Sequence, residues 1–156
     1  MRFLGPGELA STTSLEEILE SRELVVAYGS GVVDGLAAAT LLFSDYAVLH
    51  AQAQLRVASP EAWAAAAWRL GRTVIGWAVD GGKQEELVDE ITGREPQSWL
   101  EEWMRHRSVM ALDSAALLIR ARGGDRLERA EFARLFAIGE PQTGLGAFLA
   151  KIKPTF

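Results

Sequence analysis

One run, "LVVAYGSGVVDGLAAATLLFSDYAVL" from Leu24 to Leu49, restricts the fold more than any other part of the chain. "ELVVAYGSG" is apolar and β-branched and is closed by Gly29 and Gly31, which predicts a buried strand. "DGLAAATLLF" is rich in alanine and leucine, both strong helix formers, with Asp34 near its start. "DYAVLHAQAQLRV" returns to strand character. Strand, helix and strand at this spacing predict a βαβ unit, a right-handed crossover onto a parallel sheet. Glycines between a strand and a helix suit a backbone that grips a ligand oxygen, yet the run carries no obvious catalytic acid or base. Two familiar alternatives fail on spacing. The residues around Ser30 do not give G-x-S-x-G, as a nucleophile elbow needs. No Gly-Lys-Ser/Thr follows the glycines, as a P-loop needs.

The flanking segments read mainly as helices. "SLEE" from Ser14 to Glu17 predicts a capping box that opens a short helix to about Glu20. "SPEAWAAAAWRLG" has Ser59 as N-cap, Pro60 at the first helical position and Gly71 past the end, with Trp63, Ala66 and Ala67 on one face. "TVIGWAV" reads equally as a strand or as the end of an apolar helix. "SWLEEWMRHRSVMAL", "DSAALLIRARGG" and "DRLERAEFARLFAIG" predict amphipathic helices, the last ended by Gly139, and "PQTGLGAFLAKIKPTF" a final short helix and tail. The chain is therefore expected to be a single domain, α/β over residues 1–58 and mainly helical over 59–156. At 156 residues, 49% hydrophobic and 24% charged, it can bury a real core. No apolar run reaches the roughly 20 residues of a membrane span, and the start lacks the pattern of a signal peptide, so no membrane association is expected. The absence of cysteine excludes disulfides and thiolate catalysis and fits a cytoplasmic protein. Two histidines, His50 and His106, are too few for a histidine-rich metal site, and neither metal nor cofactor is expected. A net charge of −5 without a long basic block argues against nucleic acid as a partner.

The tail supplies a more specific signal. In "FARLFAIGEPQTGLGAFLAKIKPTF", Gly144, Ala147, Phe148, Leu149, Lys151, Lys153, Pro154 and Phe156 fall without a gap on Gly-x-x-Ala-Phe-Leu-x-Lys-x-Lys-Pro-x-Phe. This resembles the C-terminal end of the enoyl-CoA hydratase/isomerase (crotonase) superfamily. The Leu24–Leu49 run resembles the same family's Asn-Gly-x-x-x-Gly-Gly-Gly turn and "Ala-Cys-Asp". Gly31 and Gly35 stand on glycines, Leu36 and Ala37 replace the second and third of the three, and Asp45 matches the aspartate. "FLGPGELAS" is similar to Phe-x-x-Gly-x-Asp-Leu through Phe3, Gly7, Glu8 and Leu9, and "EELVDEI" to Gly-Leu-Val-Asp-Glu. The likeness is weakest between Pro60 and Gly82.

The resemblance implies a partial crotonase-like spiral core with a C-terminal helical region, the family's early strands missing. It also implies an acyl-CoA or acyl-carrier-protein thioester as ligand. Its oxyanion hole would be the N–H groups of Gly7 and Leu36, donors aimed at a charge that develops only during reaction. Lys151 and Lys153 would meet the carrier's phosphates. The hydratase glutamates are the main departure. Ala39 stands where the first belongs. The second falls on Ser59 without a gap, or on Glu61 after a two-residue slip, and Glu61 is also well placed to favour a helix start. His50, at the end of a strand, is a further candidate for moving protons near neutral pH. Two functions follow. One is a non-catalytic accessory subunit, a pseudoenzyme in a homo-oligomer (trimer or hexamer) or in a hetero-oligomer with a crotonase homologue. The other is a decarboxylase or isomerase that relies on backbone donors alone.

Overall fold

The computed structural model of the chain describes residues 1–120 and 124–156. Residues 121–123 of the expected helix "DSAALLIRARGG", and the side chain of Ser14, lie outside the described residues. The chain forms two compact units, one of Arg2–Ser21 with Val25–Pro96, the other of Met1, Arg22–Leu24 and Gln97–Phe156.

The first unit holds β1 (Arg2–Leu4), α1 (Thr12–Glu20), β2 (Val25–Gly29), β3 (Val32–Val33), α2 (Gly35–Phe43), β4 (Tyr46–His50), β5 (Gln54–Leu55), α3 (Pro60–Leu70), α4 (Val74–Val79) and β6 (Glu90–Thr92). Four strands form a parallel sheet in the order β1-β2-β4-β6, with Leu4 opposite Ala27, Ala27 opposite Ala47 and Leu49 opposite Ile91. The β2–α2–β4 crossover is the βαβ unit expected from the sequence. All five residues of β2 are buried, as in a sheet covered on both faces. Leu4, Ile18, Val25, Ala27, Leu41 and Leu49 are among the residues of the main core, and Ala39, Leu42, Ala65, Ala66 and Leu87 form a second cluster where α2 meets α3.

Several expectations need correction. "DYAVLHAQAQLRV" is not one strand. It turns after His50, where the Ala53 N–H donates to the His50 carbonyl at 2.8 Å, and β5 pairs with β3 in a separate parallel ribbon. The first helix opens at Thr12 with Ser11 at the N-cap position, three residues before the expected cap. Glu17 forms an ion pair with Arg2. "TVIGWAV", which the sequence left open between strand and helix, is helical, as α4. On α3 the buried residues are Ala62, Ala65 and Ala66, while Trp63 is partly exposed and stacks edge-on against Trp77 at 5.9 Å. The caps of α3 are as expected, with the Ala62 N–H donating to Ser59 Oγ at 3.1 Å, Pro60 at the start and Gly71 after the end.

Two aspartates fasten the strand starts in the same way. The Val25 N–H donates to the Asp45 carboxylate at 2.7 Å, and the Asp45 N–H donates to the Val25 carbonyl at 2.9 Å. One strand further on, the Ala47 N–H donates to the Asp89 carboxylate at 2.7 Å and the Asp89 N–H to the Ala47 carbonyl at 2.9 Å. Arg69 adds a charge-assisted bond to Asp89 at 2.8 Å and also donates to the Leu42 and Ser44 carbonyls, tying α3 to the end of α2. Asp45 and Asp89 are thus structural, at the edge of the sheet where its strands begin.

The second unit contains α5 (Pro96–Met104), α6 (Val109–Arg120), α7 (Asp125–Ala137) and α8 (Glu140–Ala150). The break between its first two helices falls at residues 105–108, not between Leu112 and Asp113. There Ser108 Oγ accepts the Ala111 N–H at 3.0 Å. Gly139, with φ of +86°, separates α7 from α8 as expected. The Leu24 N–H donates to Asp113 at 2.9 Å and Arg120 to the Glu23 carbonyl at 2.8 Å, which makes residues 22–24 part of this unit. His106 Nδ1 donates to the Pro154 carbonyl at 3.0 Å and holds the tail back. Trp99 and Trp103 are buried, with rings 5.7 Å apart, and Arg107 covers Trp103.

Candidate functional site

Parallel strands carry their connections to the next layer at their carboxyl ends, and a crevice at that edge is where such sheets bind ligands. Two of the residues picked out by the sequence lie in the connections that leave adjacent strands there. The loop after β1 turns between Gly5 and Glu8: the Glu8 N–H donates to the Gly5 carbonyl at 3.0 Å, and the Gly5 N–H donates back to the Glu8 carboxylate at 2.9 Å. Glu8 therefore shapes the loop, and Gly7 sits exposed within it, with open space where a side chain would begin. The Gly7 N–H makes no hydrogen bond among the described residues.

The connection after β2 runs through β3 into α2. Gly31 has φ of +65° and Gly35 of +49°, left-handed values that strain other residues. These are the two glycines that the resemblance keeps. Lys151 is the one non-glycine residue with positive φ among the described residues, so Leu36 and Ala37 occupy the next two positions without that strain. Asp34 is the N-cap residue, but its side chain accepts no capping bond, and the first amide to reach a helical carbonyl is that of Ala38, at 3.1 Å from the Asp34 oxygen. The Leu36 N–H is accordingly one of the unpaired donors of a helix start, at the positive end of the α2 dipole.

The remaining candidates are placed differently. His50 ends β4, and its Nδ1 accepts the Gln52 N–H at 3.2 Å. Glu61 is exposed in the first turn of α3, where the dipole favours a carboxylate. Lys151 and Lys153 are exposed and belong to the helical unit. Ala39 is fully buried, in the cluster with Leu42, Ala65, Ala66 and Leu87. Among the described residues no three His, Asp or Glu side chains are grouped to hold a metal.

One cavity went unnoticed in the sequence. It measures about 270 Å³ and is lined by Leu55, Val57, Trp77, Gly82, Gln84 and Leu87. Its residues come from four separate stretches, and only the Gly81–Gly82 pair after an apolar run hinted at close packing. Gly82 lets the Trp77 indole lie where a β-carbon would be 2.3 Å away.

No protein-family model matches the chain, and no curated protein sequence matches it. Solved structures do. An enoyl-CoA hydratase from Polaromonas sp. JS666 superposes with a TM-score of 0.63 at 20% identity, over 90% of this chain and 65% of that one. An enoyl-CoA hydratase from Thermoplasma volcanium GSS1 gives 0.63 at 19%, over 86% and 63%. An enoyl-CoA hydratase/isomerase from Marinobacter aquaeolei gives 0.59 at 19%, over 90% and 63%. The chain thus has the α/β fold of the enoyl-CoA hydratase/isomerase proteins, the crotonase fold. It spans slightly less than two thirds of the length of these neighbours. Among the described residues no helix is long and apolar enough to cross a membrane.

Proposed function

We propose that the chain binds acyl-thioesters, CoA- or carrier-protein-linked, as an accessory subunit without the hydratase acid–base pair, assembled with copies of itself or with a complete homologue. The observation that carries this reading is Ala39. Where the resemblance calls for a catalytic carboxylate, the helix has a methyl group sealed against α3. Glu61 points to solvent and supports α3. Positioned acid–base groups are what lower a hydration barrier, and this arrangement supplies no such pair. The Gly7 and Leu36 amides, on connections from neighbouring strands and without partners among the described residues, supply the thioester-binding half of the reading. A cytoplasmic location goes with it, on the cysteine-free composition.

The same two amides favour a second reading, a decarboxylase or isomerase driven by backbone donors alone. Gly7→Pro separates the two, because it deletes one donor at a position where an added β-carbon meets nothing. If the chain is an enzyme, thioester turnover should fall about a hundredfold, the usual effect of losing one oxyanion donor. If it is an accessory subunit, the activity of the complex should not change. The check is acyl-CoA binding by calorimetry, together with decarboxylation of malonyl-CoA and isomerisation of enoyl-CoA, for both proteins. Failure of the unmodified chain to bind any acyl-CoA, alone or in its complex, would end both readings.

A further inference from the structure

We infer that Asp34 sets the charge that the candidate site accepts: its carboxylate admits a neutral carbonyl oxygen to the Leu36 amide and opposes a ligand that brings or develops a negative oxygen there. This rests on the thioester-binding reading above and adds the ligand class, a thioester uncharged at its acyl end. An aspartate at the N-cap position ordinarily satisfies a helix start by accepting the second or third helical N–H. In α2 these belong to Leu36 and Ala37. Here no such bond forms. The Asp34 side chain is exposed, accepts no capping bond and makes no ion pair among the described residues. Gly35 stands between Asp34 and Leu36 with φ of +49°, far from the helical value that the first residue of a capped helix adopts. This left-handed turn leaves the donors open and the carboxylate unspent beside them.

The neighbouring charges do not cancel it. β5 runs alongside β3 with Leu55 opposite Val33, and the Arg56 N–H donates to the Val33 carbonyl at 2.9 Å, which brings Arg56 level with Asp34. Its guanidinium is turned instead to the neutral Gln54, whose Oε1 accepts from Nε at 3.1 Å and from Nη2 at 2.6 Å. On the other connection, Glu8 follows Gly7 directly, so the chain places a carboxylate beside each of the two donors. A site that holds an enolate gathers donors and cations around the developing charge. An N-cap carboxylate lies roughly 4 to 8 Å from an oxygen held by the first amides of its helix, and like charges at that range shift an equilibrium on the order of tenfold. A neutral carbonyl brings no net charge to be opposed.

The experiment uses two probes. Acetoacetyl-CoA loses a proton from its central methylene to the buffer and gives an enolate with its own near-ultraviolet absorption; butyryl-CoA gives none under the same conditions. Both are titrated at one fixed pH into the full chain, or its complex, unmodified and as Asp34→Asn and Asp34→Glu. The unmodified chain should bind both thioesters and hold no larger an enolate fraction than free solution does. Asp34→Asn should raise the bound enolate-to-keto ratio about tenfold, while leaving the affinity for butyryl-CoA as it was. Asp34→Glu, which keeps the charge, should behave as the unmodified chain. Should Asp34→Asn fail to fold, Asp34→Ser carries the same test. An unmodified chain that already enriches the enolate, a ratio unchanged in Asp34→Asn, or an equal rise in Asp34→Glu overturns this inference while leaving thioester binding intact. No binding of either thioester overturns both.

Discussion

At position 39, where the sequence resemblance calls for a carboxylate, the chain carries only a methyl group, and the space around it sets the consequence of adding an acid. Ala39 is fully buried among Leu42, Ala65, Ala66 and Leu87, none of which can donate to an oxygen through its side chain. Ala39→Glu should therefore cost about 3 kcal/mol of stability through overpacking and an unpaired buried acid, read as a lowered denaturant midpoint. It should not create crotonyl-CoA hydration. The unmodified chain should itself turn over crotonyl-CoA at least roughly 10²-fold more slowly than a two-carboxylate enzyme. Ordinary hydratase rates in either protein would show that the acid–base groups lie elsewhere. Tyr28 illustrates the opposite kind of residue. It is buried within β2 and donates to the Arg94 carbonyl, and burial, then the charges of Glu95 and Glu90, raise the pKa of its phenol. Nothing in the sequence marks that anchor, because its partner lies 66 residues away.

Among the elements, the α6–α7 pair carries a clip that responds to acid. Ser114 Oγ donates to Glu131 at 2.8 Å, and Arg134 reaches both Glu131, at 3.0 Å, and Ser114, at 2.6 Å. The Ser114 hydroxyl first, then Arg134, hold the Glu131 carboxyl below its usual range. A lowered folded-state pKa contributes stability that is present above the unfolded value, about 4.3, and is lost as pH falls through the folded value. Glu131→Gln should thus lower the melting temperature by a few degrees at pH 7 and by progressively less as the pH is taken from 5 to 3. A gap that stays constant over that range would remove the carboxylate from the clip. Elements of this length differ in how far the sequence discloses them. The start and end of α3 are written in Ser59, Pro60 and Gly71, and the β2–α2–β4 crossover in its alternation of β-branched and alanine-rich runs. β1 and β6 have three residues each, too few for any period to show. The turn after His50 and the break at 105–108 contain neither glycine nor proline, so the chain bends there for tertiary reasons. At the candidate site, the glycines at 31 and 35, which adopt positive φ, could be read directly, as could the alanine at position 39. The burial of Ala39 and the cavity depend on which helix packs on which, information that no local window holds.

For the whole molecule, the exposed apolar side chains of the helical unit are the feature to explain. Phe148 is 76% exposed, Leu149 71% and Phe132 62%, and the first two belong to the tail pattern that resembles the crotonase superfamily. Aromatic and aliphatic groups exposed together mark interfaces. Sedimentation at micromolar concentration should show an assembly, a trimer or hexamer if no partner is added, and Phe148→Glu with Leu149→Glu should reduce it to monomers without loss of helicity. A monodisperse monomer before mutation would sink the proposal. The membership of residues 22–24 in the helical unit has a consequence of a different kind, in time rather than space. Leu24 waits for Asp113, 89 residues later, and Glu23 for Arg120, 97 residues later. At 5 to 20 residues per second, a ribosome needs on the order of 4 to 20 s to deliver those partners. All of the sheet unit, which ends at Pro96, has been synthesised before Asp113 is made. During translation the sheet can close around β2 while Glu23 and Leu24 still await Arg120 and Asp113, so the order of synthesis favours a sheet that folds first and a helical unit that is completed later.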